Sequence, residues 1–177
     1  MFILKLIRKI EFLISDRNHY VDILRRGGVT IGEGCYIEKD TLFGSEPYLI
    51  KLGNNVRISS GVKFVTHDGG IWALRKKGIC QNGDIFGRIE IKDGTHVGWN
   101  VIIMPNVTIG HNCIIGCGAV VTKDIPDNSI AVGIPARVIE DLDSYYKKNK
   151  NKIVMTHHMS AVEKKKYLEQ NNVINSK

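Results

Sequence analysis

Six histidines are the residues of this chain best suited to move a proton near neutral pH or to hold a metal. His67 is set apart by its context, Phe64-Val65-Thr66-His67-Asp68-Gly69-Gly70, in which a β-branched run gives way to a flexible exit. A free imidazole titrates near ~6.5, so one held at such a point suits general-base work on a hydroxyl or an amine. Zinc would need three imidazoles converging on one corner. His67, His96 and His111 are 29 and 15 residues apart, which does not stack on a coil of eighteen residues per turn, and no metal is expected. Cys35, Cys80, Cys113 and Cys117 form no CxxC pair and no zinc-ribbon spacing, and the absence of a disulfide framework favours a reducing, cytoplasmic compartment. His157 and His158 carry no assigned role.

Two carboxylates accompany His67. Glu46, in Gly44-Ser45-Glu46-Pro47, precedes it by 21 residues, and Asp68 follows it directly. Either could orient the imidazole, as could a backbone carbonyl. Glu46 could also hold the hydroxyls of an acceptor or act as a turn residue ahead of Pro47. Asp68 and Trp72 are further candidates for acceptor contact. The segment that holds them, residues 68–88, lacks any periodicity and carries the basic run Arg75-Lys76-Lys77 beside Trp72. A long aperiodic stretch inside a compact domain is usually functional.

These residues interrupt a repeat that must position them. A large or branched apolar residue recurs every six positions at Ile31, Ile37, Phe43 and Leu49. After a slip of three it resumes at Leu52, Ile58 and Phe64, then returns at Ile91, Val97, Ile103, Ile109, Ile115 and Val121. Four residues past an anchor sits something small or β-branched, among them Val56, Val62, Thr95, Val101, Val107, Cys113 and Ala119. A six-residue period fits neither an amphipathic helix nor a free-standing strand. It fits a short strand plus a corner, three of which close one triangular turn of eighteen residues. Successive turns then pair as parallel strands about 4.8 Å apart. Cys113 and Ala119 fill small inward slots, while Cys117 lies at a corner between Gly116 and Gly118.

The stretches VTIGEGCYIEKD, GWNVIIMPNVTIGHNCIIGCGAVVTKDIP and AVGIPARVI resemble the hexapeptide-repeat acyltransferases, which include maltose, galactoside, streptogramin and capsular-polysaccharide acetyltransferases. The likeness spans about residues 29–139. It implies an all-β fold, a left-handed parallel β-helix, assembled as a homotrimer with active sites between subunits. His67 matches the family's catalytic histidine, and the amide of Trp99 its oxyanion donor, in the coil beside His67's exit. Acetyl-CoA would lie in the groove between neighbouring coils, meeting Trp99, Cys117 and Thr122 largely through backbone groups, with Lys123 and Arg137 on its phosphates. The implied reaction is direct transfer of an acetyl group to a sugar hydroxyl. The pairing GSEPYLI…THDGG looks more like the enzymes that decorate cell-surface or capsular saccharides. An amino sugar or an antibiotic is the alternative acceptor, and a non-catalytic assembly scaffold is the rival of another class.

The domain boundaries follow the repeat: a helical segment at 1–28, the coil at 29–139 with its insertion at 68–88, and a basic helical tail at 140–177. The net charge is +7, and eight lysines against two glutamates after Tyr145 account for most of it. No aromatic residues alternate with those lysines as single-strand binding requires, so nucleic acid is not an expected partner. Ser160 and Glu163 spell a capping box that opens a helix through Leu168. At the other end Ile3, Leu6, Ile7, Ile10, Leu13 and Ile14 share one helical face. Charges at Lys5, Arg8, Lys9 and Glu11 make that stretch too broken to cross a membrane. It either packs on the protein or rests on an anionic membrane surface.

Overall fold

A computed structural model of the chain describes residues 16–171. The apolar face expected at residues 3–14, with any membrane contact it makes, lies outside them. Asp16 caps the first helix, α1 (Arg17–Arg26), by accepting from the His19 amide at 2.9 Å. Tyr20 and Val21 of α1 are buried against the first turn of the coil, closing an end whose apolar interior would otherwise face water. Arg25 fastens the cap, donating to the carbonyls of Ile31 and Gly32 and pairing with Glu33 at 2.9 Å.

The coil has three faces. The first stacks β1 (Thr30–Ile31), β3 (Ile50–Leu52), β6 (Ile89–Ile91) and β9 (Val107–Ile109) in parallel. The second stacks β2 (Tyr36–Ile37), β4 (Arg57–Ile58), β7 (His96–Val97), β10 (Ile114–Ile115) and β12 (Ser129–Val132). The third stacks β5 (Lys63–Phe64), β8 (Ile102–Ile103) and β11 (Val120–Val121). Among the described strands β13 (Arg137–Asp141) alone runs antiparallel, turning back along β12 and covering the last edge. Ile91 pairs with Ile109 and Val97 with Ile115, the eighteen-residue turn read from the sequence.

The anchors point inward and are buried, with one exception. Leu49 is only partly buried; it ends a 3₁₀ turn, Pro47–Leu49, and Ile50 takes the inward place beside Leu52. The small slots behave as expected: Val56, Val62, Val101 and Ala119 are fully buried, and Cys113 nearly so, while Cys117 is exposed. Buried Thr95 satisfies its hydroxyl by donating to the Gly110 carbonyl at 2.7 Å and accepting from the Cys113 amide at 3.0 Å.

Side chains also tie one turn to the next at the corner between the first and second faces. The Glu33 amide donates to Asn54 Oδ1 at 2.9 Å, and the Asn54 amide to Asp93 Oδ1 at 2.8 Å. The Asn54 amide holds the Asp93 carboxyl below its ordinary range. A carboxylate depressed by folding stabilises above its unfolded pKa and loses that contribution as pH falls through the folded one. Asp93→Ala is therefore expected to lower Tm at pH 7, with the gap to the parent closing as pH drops below the ordinary carboxylate range. A gap that stays constant from pH 7 to pH 3 in thermal denaturation would contradict this.

Two compact units divide between Tyr145 and Tyr146, and α3 (Leu142–Asn149) runs across the division. The second unit contains α4 (Ala161–Gln170), opened by the reciprocal Ser160–Glu163 capping box and two residues longer than the sequence suggests. No described helix is long and apolar enough to cross a membrane.

Candidate functional site

Both departures from the repeat fall on the corner between the third and first faces. The first is the three-residue excess around Pro47–Leu49; the second is the insertion after Phe64. They stack because Phe43 and Phe64, the anchors that precede them, lie on adjacent turns with rings 5.0 Å apart. Gly44 sits over Thr66 at a φ of +67°, where a side chain would be strained. This stacking delivers Glu46 to His67. Thr66 Oγ1 donates to Glu46 Oε2 at 2.7 Å, and His67 Nδ1 lies 3.1 Å from the same oxygen.

Glu46 is well defined. Its side chain is 14% exposed, and Thr66 first, then Ser45, then His67 hold its carboxyl below the ordinary range. An ionised carboxylate can only accept, so the proton shared with His67 sits on Nδ1. Nε2 makes no hydrogen bond among the described residues, and the imidazole is about half exposed at 47%. The returning strand of the insertion closes over this pair. Phe86 lies opposite His67 in an antiparallel bridge, flanked by Gly87 N–H to Thr66 O and Asp68 N–H to Ile85 O, with the two rings edge to face at 6.5 Å.

Asp68 is turned away from Glu46's role. Its Oδ1 accepts from the Gly70 amide at 2.8 Å and leads the chain into α2 (Ile71–Lys76). Trp72 on that helix is 60% exposed, with the Lys76 ammonium 4.5 Å above its ring, and Arg75 ties the helix to Asp84 at 2.7 Å.

The other site residues lie elsewhere on the coil. Trp99 stands between β7 and β8, at the corner joining the second and third faces, and so not beside His67's exit within one chain. Gly98 is required there: a Cβ would come within 2.8 Å of the Cys117 amide on the next turn. The Trp99 carbonyl accepts from Gly118 at 2.7 Å, whereas its own N–H has no partner among the described residues. Cys117 stacks beneath it. Thr122 and Lys123 follow β11 on His67's corner, two turns on and hence roughly 10 Å along the axis. Arg137 starts β13 at the end of the coil. His96 and His111 occupy the second face and the corner before it, apart from His67, and no cluster of metal-binding side chains occurs among the described residues.

Sequence reasoning did not find Thr66, Ser45 or Phe86. Thr66 reads as another β-branched strand residue, and the return register of the insertion leaves no periodic trace.

The site thus pairs a half-exposed imidazole with a carboxylate on a hexapeptide coil. Comparison with known proteins identifies that coil. The bacterial transferase hexapeptide (six repeats) family signature matches residues 88–123. Protein CapG of Staphylococcus aureus is 45% identical over 163 residues, covering 91% of this chain and 94% of its own length. The galactoside O-acetyltransferase of Escherichia coli K12 is 35% identical over 135 residues, 64% of each chain. A solved galactoside acetyltransferase in complex with coenzyme A superposes with a TM-score of 0.59 at 27% identity, over 79% of this chain and 80% of that one. The chain belongs to the bacterial hexapeptide-repeat transferase family, with its left-handed parallel β-helix, and is an acetyltransferase of that family.

Proposed function

We propose that the protein transfers an acetyl group from acetyl-CoA to a hydroxyl of a sugar, with His67 as general base and Glu46 as its positioning residue. The observation that carries this is the Glu46–His67 pair, in which a carboxylate pinned by Thr66 and Ser45 fixes the proton on Nδ1 and leaves Nε2 open. Nε2 takes the proton of the acceptor hydroxyl as its oxygen attacks the thioester carbonyl. The negative charge that develops on the carbonyl oxygen needs a fixed donor, and the unpartnered Trp99 N–H is one. As the C–S bond breaks, the imidazolium returns its proton to the departing thiolate. An acetyl ester and free CoA thiol result, with no enzyme-bound acyl group.

His67 and the Trp99 N–H sit on different corners of one coil, so a site using both is built from two copies. The outward side chains support that assembly. On the third face Ile102 and Val120, and on the second Ile114, are partly exposed and apolar, while the first face turns out Thr30, Lys51, Glu90 and Thr108. The likeness to the hexapeptide-repeat acyltransferases implies that such neighbours close as a homotrimer. A sugar acceptor is the substrate class named for the galactoside acetyltransferase relative. The cell-surface or capsular assignment rests on the likeness of the two motifs around Glu46 and His67.

Thiol release from acetyl-CoA, measured with and without a panel of sugars, tests the reaction: turnover must depend on the acceptor. The role of Glu46 is separable in the same assay. Glu46→Gln is expected to lower kcat about 10- to 100-fold at unchanged acceptor KM, because the imidazole loses its orienting anion but not its neighbours. A rise in acceptor KM at constant kcat would instead make Glu46 an acceptor ligand.

A further inference from the structure

The insertion carries four cations, Arg75, Lys76, Lys77 and Arg88, and the first two are engaged. Arg75 is held by Asp84, and Lys76 lies on the face of Trp72. Arg88 is different. It is exposed and makes no ion pair or hydrogen bond among the described residues. Its place follows from the bridge. Phe86 pairs with His67, and Arg88 comes two residues later, just before β6. Two residues span at most about 7 Å, so the backbone of Arg88 lies within a long side chain's reach of the residue opposite His67. The carboxylates around it in the chain and at the site are committed: Glu46 to Thr66, Ser45 and His67, Asp68 to the Gly70 amide, Asp84 to Arg75 and Glu90 to Lys51. An unpaired guanidinium is thus left two residues from the exposed ring that faces the proposed base.

We infer that Arg88 selects an anionic acceptor, a saccharide carrying a phosphate or carboxylate group near the hydroxyl that is acetylated. The inference rests on the reading of His67 as the base. A planar guanidinium holds either anion through paired N–H donors, and Phe86 offers a flat apolar surface for the face of the sugar ring. A neutral glycoside satisfies only the second of these. Acetylation leaves the anion untouched, so the contact serves binding and orientation and takes no part in the bond changes.

The test compares kcat/KM for methyl galactoside, galactose 1-phosphate, UDP-galactose and methyl galacturonide in the parent, Arg88→Ala, Arg88→Lys and His67→Ala. The anionic acceptors are expected to exceed the neutral one, and their ranking separates phosphate from carboxylate. Arg88→Ala should shrink the anionic-to-neutral ratio roughly 10- to 100-fold, the worth of a charge-assisted hydrogen bond, and Arg88→Lys should recover part of it. An unchanged ratio in Arg88→Ala overturns the inference. So does a rise in the KM of acetyl-CoA, which would give the arginine to the donor, or an altered oligomeric mass. Full activity of His67→Ala defeats the base assignment while the ratio still reports on Arg88. Failure of every acceptor defeats both.

Discussion

Replacing His67 by alanine is expected to lower kcat by roughly 10²- to 10⁴-fold, the ordinary contribution of a positioned general base, without weakening acetyl-CoA binding. In the proposed mechanism the loss is confined to kcat, because there the imidazole meets the acceptor proton and not the donor. The fold should be indifferent. The side chain is about half exposed, and its one hydrogen bond among the described residues goes to a carboxylate that Thr66 and Ser45 continue to hold. Tm should therefore match the parent, and calorimetric titration with CoA should give the same affinity. A residual rate above solution remains, because the oxyanion donor and the binding of two substrates survive the change. Turnover equal to the parent would remove His67 from the mechanism. Lost CoA affinity would show instead that the residue shapes the donor groove.

The coil was readable because its geometry forces one kind of residue into every sixth position. Ile91, Ile103 and Ile115 must each fill the interior of a turn whose neighbours lie one strand spacing away. The period is blind only where the chain departs from it. Leu49 keeps the six-residue spacing from Phe43, yet the 3₁₀ turn before β3 shifts the inward place to Ile50, and only pairing with Ile89 reveals that. Arithmetic brought Glu46 near His67, since 21 residues are one turn plus the three-residue slip. It did not choose between orienting the base and binding an acceptor. The feature that favours orientation in the proposed mechanism is Thr66, a buried hydroxyl that donates to the same carboxylate and whose direction no sequence pattern records. Trp99 shows the converse. Its type and spacing match the family, but counting faces of the coil puts it one corner away from His67, and a single chain cannot bring the two together.

That separation makes the sharpest expectation for Trp99. It opens a corner turn whose next residue, Asn100, has a φ of +57°, and the same turn recurs in this chain as Pro105-Asn106, with Asn106 at +60°. Proline fits the first of these positions and deletes the N–H along with the indole, the loss of the indole alone being read from Trp99→Ala. Trp99→Pro should thus fold like the parent and lose about 10²–10³-fold in kcat, the cost of one oxyanion donor. Trp99→Ala keeps the N–H and should lose far less. Mixing then asks where the site lies. His67→Ala and Trp99→Pro are each nearly inactive alone, and every chain in a mixture carries one lesion. If the base and the donor come from neighbouring copies, co-refolding equal amounts restores about a quarter of the sites, those pairing an intact His67 with an intact Trp99 corner. If both come from one chain, the mixture stays at the sum of its parents although mass analysis shows hybrid oligomers. That result would return the site to a single coil and require a different oxyanion donor on His67's own corner.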